Sequence, residues 1–598
     1  MATTAIPKTK ILGGSFLLEE RQTADVFTPE DFSEQQQMIG QTTEEFAVNE
    51  ILPQAEKIEH KDYSISRALL KKAGDLGLSG VEIPEAYGGL DMDKVTAAVI
   101  ADHMAKYAGF ATTWGAHSGI GMLPIVYFGT EEQKKKYLPK LATGEIVGAY
   151  ALSEATSGSD ALNCRARAVL SPDGKHYILN GEKMWITNAG FADLFTVFAK
   201  IDGEKFSAFL VERTFPGFST GAEEHKMGIR GSSTCPIILN DCKVPVENLL
   251  GEIGKGHIIA FNILNIGRFK LGAMCVGGAR VSIESAVAYA KQRKAFGKSI
   301  SEFGLIREKI ANMATLIYVG ESLVYRTVGM MDALLSEIDH ASPDAAKERR
   351  KAIEEYAVEC SILKVWGSEM IDYVVDETLQ IYAGYGFVEE YPAERAYRDA
   401  RINRIFEGTN EINRLIITGF LLKRAMTGQL PLMPAIKKLM DEVLSGPSVG
   451  EEIEGPLAEE RKLVAQAKKL GLFVAGAATQ KYMQAIQDQQ EVMGAIADMT
   501  IEIYAMESAL LRAQKIVEQK GESSAALPIA MTRVYLTQAQ EKIEAAARKV
   551  IADVAEGDML RTQLAIVRRL SKHDPFNTIA LRQQIAQRTI EAGKYQLA

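Results

Sequence analysis

The sequence predicts an α+β protein in which one β-sheet domain separates helical regions. Two changes in the spacing of apolar residues support this: helical spacing gives way to short strand-like segments near residue 147 and resumes near residue 253. The length of 598 residues favours about three or four domains. We predict an N-terminal helical domain at 1–146, a middle β-sheet domain at 147–252, a C-terminal four-helix bundle at 253–430 and an additional helical domain at 431–598.

The first domain is predicted to be helical because its apolar residues recur every three or four positions. The segments "ISRALLKKAGDLGL" and "KVTAAVIADHMAKYA" both show this spacing. In "FGTEEQKKKYLPKL", Thr130 is a candidate N-cap, and Gln133 stands where the second residue of a capping box belongs. A helix is therefore expected to begin just after Thr130.

The middle domain is predicted to be a sheet of short strands joined by tight turns. Its candidate turns are the pairs Asp173-Gly174, Asn180-Gly181 and Asp202-Gly203, because Asp-Gly and Asn-Gly favour hairpin turns. The segments on either side of these pairs are short and rich in β-branched and aromatic residues.

The last region resembles the bundle before it. "IANMATLIYVGES" at 310–322 and "IADMTIEIYAMES" at 496–508 agree at seven of thirteen positions, with an offset of 186. The alternative is chance similarity between two amphipathic helices, whose compositions are biased. The shared Met, Tyr and Glu-Ser positions favour a degenerate copy of the helical domain. "GQLPLMP" at 428–434 is predicted to be the linker between the two regions.

Composition excludes several classes of protein. The net charge of −9 and the pI of about 5.7 argue against a nucleic-acid-binding protein. The five cysteines show no C-x-x-C spacing, which argues against structural zinc and a disulfide framework. The eight histidines show no ligand spacing, so no metal site is predicted, and neither a Rossmann fingerprint nor a P-loop is found.

The sequence shows no targeting signal that we recognise. Its beginning has no continuous apolar core of the kind that a secretory signal needs, and it turns acidic early, unlike a transit peptide. No apolar stretch is predicted to span a membrane. We expect a cytoplasmic protein.

Four segments together resemble the acyl-CoA dehydrogenases in order and spacing over about residues 30–425. The long tail resembles that of the very-long-chain subgroup, whose members carry a further helical domain. The resemblance implies FAD as cofactor, a fatty acyl-CoA as substrate and an electron-transfer flavoprotein as electron acceptor. The reaction implied is formation of trans-2-enoyl-CoA in fatty-acid β-oxidation. The four segments are "AYALSEATSGSD" (149–160), "NGEKMWITNAG" (180–190), "QRKAFGKSISEF" (292–303) and "QIYAGYGFVEEYPAERAYRDARINRIFEGTNEI" (380–412).

Glu407 is the candidate catalytic base. It lies between Phe406 and Gly408. A glutamate in water, with a pKa of about 4.3, is too weak a base for the carbon next to a thioester, but removing water beside an aromatic ring raises that pKa. The resemblance assigns Glu407 the α-proton and gives its backbone N–H to the thioester carbonyl. The alternative is a glutamate favoured at a helix N-terminus by the helix dipole.

Some relatives carry the base on a different helix, at the position that matches Gly267 in "NILNIGRF". A glycine cannot accept the proton, which favours Glu407. Gly408 has no side chain, so that backbone and substrate can approach closely.

The resemblance places two groups of residues against FAD. Within the subunit, Thr187 is expected near flavin N5 and Trp185 as a screen against water. The alternatives are a packed strand pair for Trp185 and Ile186, and a turn hydroxyl for Ser153. The group within the subunit is Tyr150, Leu152, Ser153, Trp185, Ile186 and Thr187. The group that reaches the FAD of a neighbouring subunit is Arg293, Phe296, Gln380, Gly384, Thr409 and Glu411.

Arg293 has an alternative role, and Glu411 departs from the residue type that relatives carry. Arg293 suits a diphosphate because its guanidinium donates two parallel hydrogen bonds, although a solvated cation at a helix end is the alternative. Glu411 stands where relatives often carry an amide.

The acyl-CoA is expected to contact Ser159, Asn265, Arg268 and Gly408. Ser159 matches a position near the pantetheine, and Asn265 and Arg268 match positions near the CoA end. Asn265 replaces an aspartate of shorter-chain relatives, and Arg268 has a buried structural cation as its alternative.

Alternatives for the function, the assembly and the tail also follow from the sequence. An acyl-CoA oxidase would use the same base and flavin with oxygen as acceptor, and a scaffold protein would use the tail helices without turnover. A tail that copies a bundle would cover the surface where ordinary family members form tetramers, which predicts a homodimer. The segment "MLRTQLAIVRRLSKH" (559–573) is basic and amphipathic, so it is either a weak peripheral membrane contact or a solvated bundle helix.

Overall fold

The computed structural model describes residues 11–339, 342, 344–444 and 454–597. The order of elements confirms the predicted fold class of helical, β-sheet, helical and further helical regions. The N-terminal helices are α1 (Glu34–Phe46), α2 (Ala55–Glu59), α3 (Tyr63–Asp75), α4 (Lys94–Met104), α5 (Ala108–Gly115), α6 (Leu123–Phe128) and α7 (Glu131–Ala142).

Helix α7 begins where the capping box predicted. The Thr130 hydroxyl accepts the backbone N–H of Gln133 at 3.2 Å, and the Gln133 side chain accepts the Thr130 N–H at 3.0 Å. The Gln133 amide also donates to the carbonyls of Glu247 and Leu249, so the same residue ties α7 to the end of the sheet domain.

The middle region is one mixed sheet. Its order is β6-β7-β3-β2-β4-β5-β8, and β1 pairs with β4 in parallel. The strands are β1 (Gly148–Ala151), β2 (Arg167–Leu170), β3 (His176–Thr187), β4 (Leu194–Ile201), β5 (Lys205–Glu212), β6 (Phe218–Thr220), β7 (Thr234–Pro245) and β8 (Leu249–Leu250). Strands β4 and β5 are almost entirely buried, because both faces are covered.

One predicted turn is wrong. Asp173-Gly174 and Asp202-Gly203 do join antiparallel strands, but Asn180-Gly181 lies inside β3. The register of β3 against β7 shifts between Leu179 and Gly181, which marks a bulge. Gly181 has φ +146, and a Cβ there would lie 2.8 Å from the Ala166 Cα. The glycine therefore serves a bulge and a close backbone approach instead of a turn.

The third region is built on the long helix α8. Helices α8, α9, α11 and α13 pack together as the predicted bundle, and α12 leads into the segment that carries Glu407. The elements are α8 (Gly256–Gln292), β9 (Lys294–Ala295), β10 (Lys298–Ser299), α9 (Gly304–Leu335), α10 (Ala345–Glu355), α11 (Ala357–Tyr382), α12 (Pro392–Ala400) and α13 (Asn410–Met426).

Helix α8 bears on the prediction that no apolar stretch spans a membrane. By length and composition it is the one described helix that could cross a membrane, but 72% of its most apolar window is buried inside the protein. A central bundle helix is apolar all round because other elements cover every side of it.

The tail packs against the bundle, mainly on α9 and α13. The predicted linker is shorter than 428–434, since α14 already begins at Leu432. In α18, Ile566, Val567 and Leu570 are buried, which favours the bundle helix over its alternative, a membrane contact. The tail helices are α14 (Leu432–Leu444), α15 (Ala458–Tyr482), α16 (Gln490–Lys520), α17 (Ala526–Val554), α18 (Gly557–Ser571) and α19 (Thr578–Ala592).

Candidate active site

A long cavity lies between the N-terminal helices, the sheet and the bundle. It encloses about 1430 Å³ when its open mouth is counted, and most of its wall is apolar or small. Along α8 the lining residues extend from Gly267 to Ser285. Phe406, Glu407 and Thr187 also line it, so the predicted base and one predicted flavin contact share a wall.

Glu407 holds an unusual backbone conformation. Its φ is +59 and that of Gly408 is +83, so two consecutive residues adopt the left-handed region. This conformation is strained for glutamate and easy for glycine. The turn is held by side chains from two helices: the Arg268 Nε donates to the Glu407 carbonyl at 3.2 Å, and the Asn413 amide donates to the Gly408 carbonyl at 2.8 Å.

The Glu407 carboxylate is partly withdrawn from water, since the residue is half-buried at the wall of the cavity. Its Oε2 atom is buried and has no hydrogen-bond partner among the residues that the structure describes. Burial raises the pKa of Glu407 to about 7, against the opposing effect of the Arg268 and Lys364 cations. A carboxylate with a pKa near neutrality is both ionised and basic enough to remove a proton at physiological pH.

Gly267 lies directly against this carboxylate. A Cβ atom built on Gly267 would be 2.7 Å from the Glu407 Oε2, closer than any real contact allows. The absence of a side chain at Gly267 therefore makes room for the carboxylate of Glu407.

Two segments predicted to contact FAD are joined to each other. The Met184 N–H donates to the Ser153 carbonyl at 2.9 Å, and the buried Lys183 ammonium contacts the Leu152 carbonyl at 3.2 Å and the Glu154 carboxylate at 2.7 Å. Glu154 in turn accepts the backbone N–H groups of Arg165 and Ala166. The loop after β1 is thereby fixed against β3, a link that the motifs alone did not reveal.

The residues predicted to contact FAD within the subunit differ in exposure. Trp185 has φ +58 and is 57% exposed, which is unusual for a residue at the end of a strand that is otherwise paired. Thr187 lines the cavity. Tyr150 and Leu152 are each 9% exposed, and Ile186 is buried opposite Cys235, which fits its packing alternative. An exposed aromatic ring, a cavity hydroxyl and a fixed loop suit a flat ring system.

The predicted cross-subunit residues lie mostly on the surface. Arg293, Gln380, Gly384 and Glu411 are exposed, and Phe296 is 95% exposed. The Arg293 guanidinium stands 5.6 Å from the ring of Tyr385, so the segments at 293–296 and 380–387 are neighbours in space. Thr409 has a local task as well, because its hydroxyl caps α13 by accepting the Ile412 N–H at 3.3 Å.

The predicted substrate contacts are divided between different places. Ser159 is exposed on the loop after β1. Asn265 and Arg268 are each 4% exposed and bind each other at 3.0 Å, and Arg268 faces the backbone of Glu407. These contacts fit the structural cation that was the alternative for Arg268, and its contact with acyl-CoA stays a prediction. Gly408 lies beside the Arg268 and Asn413 side chains.

Among the described residues, no group of histidine, cysteine, aspartate and glutamate side chains is arranged to hold a metal ion.

The fold and this buried base belong to one family of enzymes. Sequence models described as the N-terminal, middle and C-terminal domains of acyl-CoA dehydrogenase match residues 33–145, 149–242 and 254–422. A further model, also described as an acyl-CoA dehydrogenase C-terminal domain, matches 466–569. The chain is a member of the acyl-CoA dehydrogenase family, an FAD-dependent family of oxidoreductases.

Relatives cover the chain to different extents. A "Probable acyl-CoA dehydrogenase" of Bacillus subtilis (strain 168) is 50% identical over 584 residues, 98% of each chain. A "Very long-chain specific acyl-CoA dehydrogenase, mitochondrial" of Rattus norvegicus is 38% identical over 473 residues, 74% of this chain and 69% of the other. A crystal structure of an acyl-CoA dehydrogenase complexed with FAD from Bacillus anthracis is 52% identical, with a TM-score of 0.96 over 98% of this chain and 100% of that one.

Proposed function

We propose that this protein is an FAD-dependent dehydrogenase that converts long-chain fatty acyl-CoA to trans-2-enoyl-CoA. The observation that supports this most directly is the Glu407 carboxylate at the wall of an apolar cavity, with an unpaired buried oxygen. An unpaired acceptor in a dry site is costly unless a ligand supplies the proton it takes. The α-carbon of a bound thioester supplies such a proton.

The residues of this chain act as base, support and screen. Glu407 removes the α-proton, while Arg268 and Asn413 keep its strained turn in place by binding the carbonyls of residues 407 and 408. The residues that would hold FAD are those of the joined segments at 150–153 and 185–187, and the exposed Trp185 ring would screen water from the site. The chemistry supplied by bound FAD is acceptance of a hydride from the β-carbon. The apolar wall excludes water from the reacting atoms.

The length of the cavity supports long-chain substrates. Its lining on α8 extends over about 18 positions, from Gly267 to Ser285, which corresponds to about 27 Å along a helix. One leaflet of a bilayer, half of its roughly 30 Å hydrocarbon core, holds one lipid chain in about 15 Å. The wall that α8 provides beyond Glu407 is therefore longer than an acyl chain of membrane-lipid length.

The proposed function also includes an assembly, an electron acceptor and a pathway. We take a homodimer as the assembly, because Phe296, which the resemblance assigns to the FAD of a second subunit, is 95% exposed, and Phe387, three residues after Gly384, is 82% exposed. Exposed aromatic rings of this size favour an interface. An electron-transfer flavoprotein is the proposed acceptor, and fatty-acid β-oxidation is the proposed pathway.

Anaerobic titration of the purified protein tests the proposal. The protein should be yellow, and acyl-CoA thioesters of graded chain length should bleach the flavin, with long chains the most effective. Glu407→Gln should keep the flavin and bind acyl-CoA, yet bleach at least about 100-fold more slowly because no base remains. A colourless protein, or a Glu407→Gln variant that bleaches like the wild type, would overturn it.

The same preparation separates a dehydrogenase from an oxidase. In air, a dehydrogenase should turn over slowly without an added electron acceptor and release little hydrogen peroxide. Peroxide formed in equal amount to the enoyl product would instead identify an oxidase with the same base.

A further inference from the structure

Lys364 is a buried lysine whose ammonium binds a neutral side chain. It lies on α11, is fully buried, and its ammonium donates to the Asn410 side-chain oxygen at 2.6 Å. It forms no salt bridge with any residue in the described part of the chain. A buried ammonium that binds only a neutral amide is costly, because its charge is not compensated at close range.

Two carboxylates interact with that charge. They are Glu407, three positions before Asn410, and Glu411, one position after it. Glu411 is exposed, so water screens its charge, whereas Glu407 is half-buried and its Oε2 atom is buried, so that its charge is screened less. Of the two carboxylates, Glu407 is therefore the better placed to offset the charge of Lys364, whose bonding partner Asn410 begins α13 three positions after it.

We infer that Lys364 is a positioning residue for the reaction: through Asn410 it fixes the start of α13, and its ammonium holds the Glu407 carboxylate in the ionised form that accepts a proton. This inference rests on the proposed function, because it concerns the same base. Lys364 does not line the cavity, so it acts through Glu407 and not on the substrate.

The groups around this pair come from each neighbouring element. Arg268 on α8 also favours an ionised Glu407, and its positive charge disfavours the protonated form of Lys364. Burial and the Arg268 cation lower the pKa of Lys364 to about 8, so it still carries its proton at neutral pH. The ionisable groups that interact with Glu407 or Lys364 are Arg268 and Cys275 of α8, Tyr150 of β1 and Glu411 of α13.

Asn410 makes the arrangement rigid. Its side-chain oxygen also accepts the Ser368 hydroxyl at 3.2 Å, and its amide donates to Ser368 and Glu369 at 3.0 Å each. Asn410 therefore keeps partners when Lys364 is replaced, so that the charge can be removed without leaving a buried amide unpaired.

The test compares the pH dependence of kcat/KM in variants that separate charge from hydrogen bonding. Lys364→Gln keeps a donor for Asn410 without the charge, Lys364→Met replaces the charge with an apolar chain of similar length, and Lys364→Arg keeps the charge. Lys468→Gln is the matched control, since Lys468 is a buried lysine of the tail that binds Glu507. Substrate is a long-chain acyl-CoA, and each variant is used as FAD-loaded full-length protein.

We expect the acidic limb of the profile to move up by about one pH unit in Lys364→Gln and Lys364→Met, which is about a tenfold loss of rate on that limb. Lys364→Arg and Lys468→Gln should keep the wild-type limb, and Lys468→Gln should only unfold more easily. If Lys364→Gln does not fold, Lys364→Met alone tests the effect of removing the charge, because an apolar replacement of a buried charge is often well tolerated.

An unshifted limb in the folded neutral variants overturns the inference while leaving the proposed function intact. A limb that moves as far in Lys364→Arg as in Lys364→Gln also overturns it, since charge would then not be the cause. A wild-type protein that acyl-CoA does not bleach overturns the proposed function, and the inference with it.

Discussion

Arg326 on α9 and Arg512 on α16 stand 186 positions apart, and each binds a glutamate on the other's helix. Arg326 contacts Glu507 at 2.7 Å, and Arg512 contacts Glu321 at 2.7 Å. The two glutamates are also 186 positions apart, and both belong to the repeated segments. Each guanidinium also lies over a tyrosine of the opposite helix, at 4.5 Å for Arg326 and 4.8 Å for Arg512.

This reciprocity has the form of an interface between two identical subunits. In a contact with two-fold symmetry, residue i of one subunit contacts residue j of the other, and residue j of the first contacts residue i of the second. Here the same pattern joins α9 to α16 within one chain, which supports the interpretation of the tail as a degenerate copy of the bundle.

The reciprocal ion pairs should be important for stability. Glu507→Gln leaves the buried Arg326 and Lys468 cations without a carboxylate, so we expect a loss of about 3 kcal/mol in the free energy of unfolding. Glu544→Gln is the control, because its pair with Arg548 is accessible to water and should cost less than about 1 kcal/mol. Urea denaturation followed by circular dichroism measures both, and equal losses would contradict the expectation.

The assembly should be a homodimer, because the tail occupies α9 in the way that another subunit would. Light scattering should give a mass near twice the 65.5 kDa of the chain. A mass near four chains would show that the covered surface of α9 is not the one that limits assembly.

The rate should depend on the ionisation of Glu407. Burial raises its pKa to about 7, and only the carboxylate form accepts a proton, so kcat/KM should rise with pH up to about 7 and level off above it. Below that pH the rate should fall about tenfold per unit. Stopped-flow bleaching from about pH 5.5 to about pH 8.5 measures the profile, because this range covers both the falling limb and the plateau. A flat profile would mean that Glu407 stays ionised throughout.

Gly267→Ala should disturb the base without removing it. The new methyl group would lie 2.7 Å from the Glu407 Oε2, so the carboxylate must move, and we expect about a 100-fold loss of bleaching rate. With a short-chain acyl-CoA as substrate, Gly278→Ala is the matched control on the same helix, because its methyl group meets only the Ile371 side chain at 3.5 Å, an ordinary contact. Similar losses in both variants would place the effect in α8 packing.

Blocking the cavity beyond the base should change chain-length preference. Gly278 lies about 11 residues past Gly267, about 16 Å further along α8, and lines the cavity. Gly278→Leu should therefore reduce kcat/KM for the longest acyl-CoA substrates about tenfold or more while sparing short ones, since a filled volume in a packed site is not easily relieved. Loss of activity at every chain length would instead indicate a distorted bundle.

In the candidate site, the sequence predicted residues that lie together in one motif and not those whose partners are distant along the chain. Glu407, Phe406 and Gly408 are neighbours in one motif, so the chemistry of their contact was already visible in the sequence. Lys364 and the Lys183–Glu154 pair were missed because their partners lie far along the chain, and neither lysine stands in a pattern that distinguishes it from a surface lysine. For Arg268 the sequence leaves a substrate contact and a structural cation open, and only the structure shows that its guanidinium binds the Glu407 backbone 139 positions away.

The sequence by itself determined the order of helical and sheet regions, the start of α7 and the repeated segment in the tail. Each of these rests on spacing or capping within a few residues, and short-range geometry of this kind is written directly in the order of residues. Only the tertiary structure decided that Gly181 serves a bulge, that Gly267 makes room for Glu407 and that Arg326 and Arg512 bind reciprocally. Those contacts depend on how distant segments pack, because burial and close approach are properties of the assembled core and not of any local stretch.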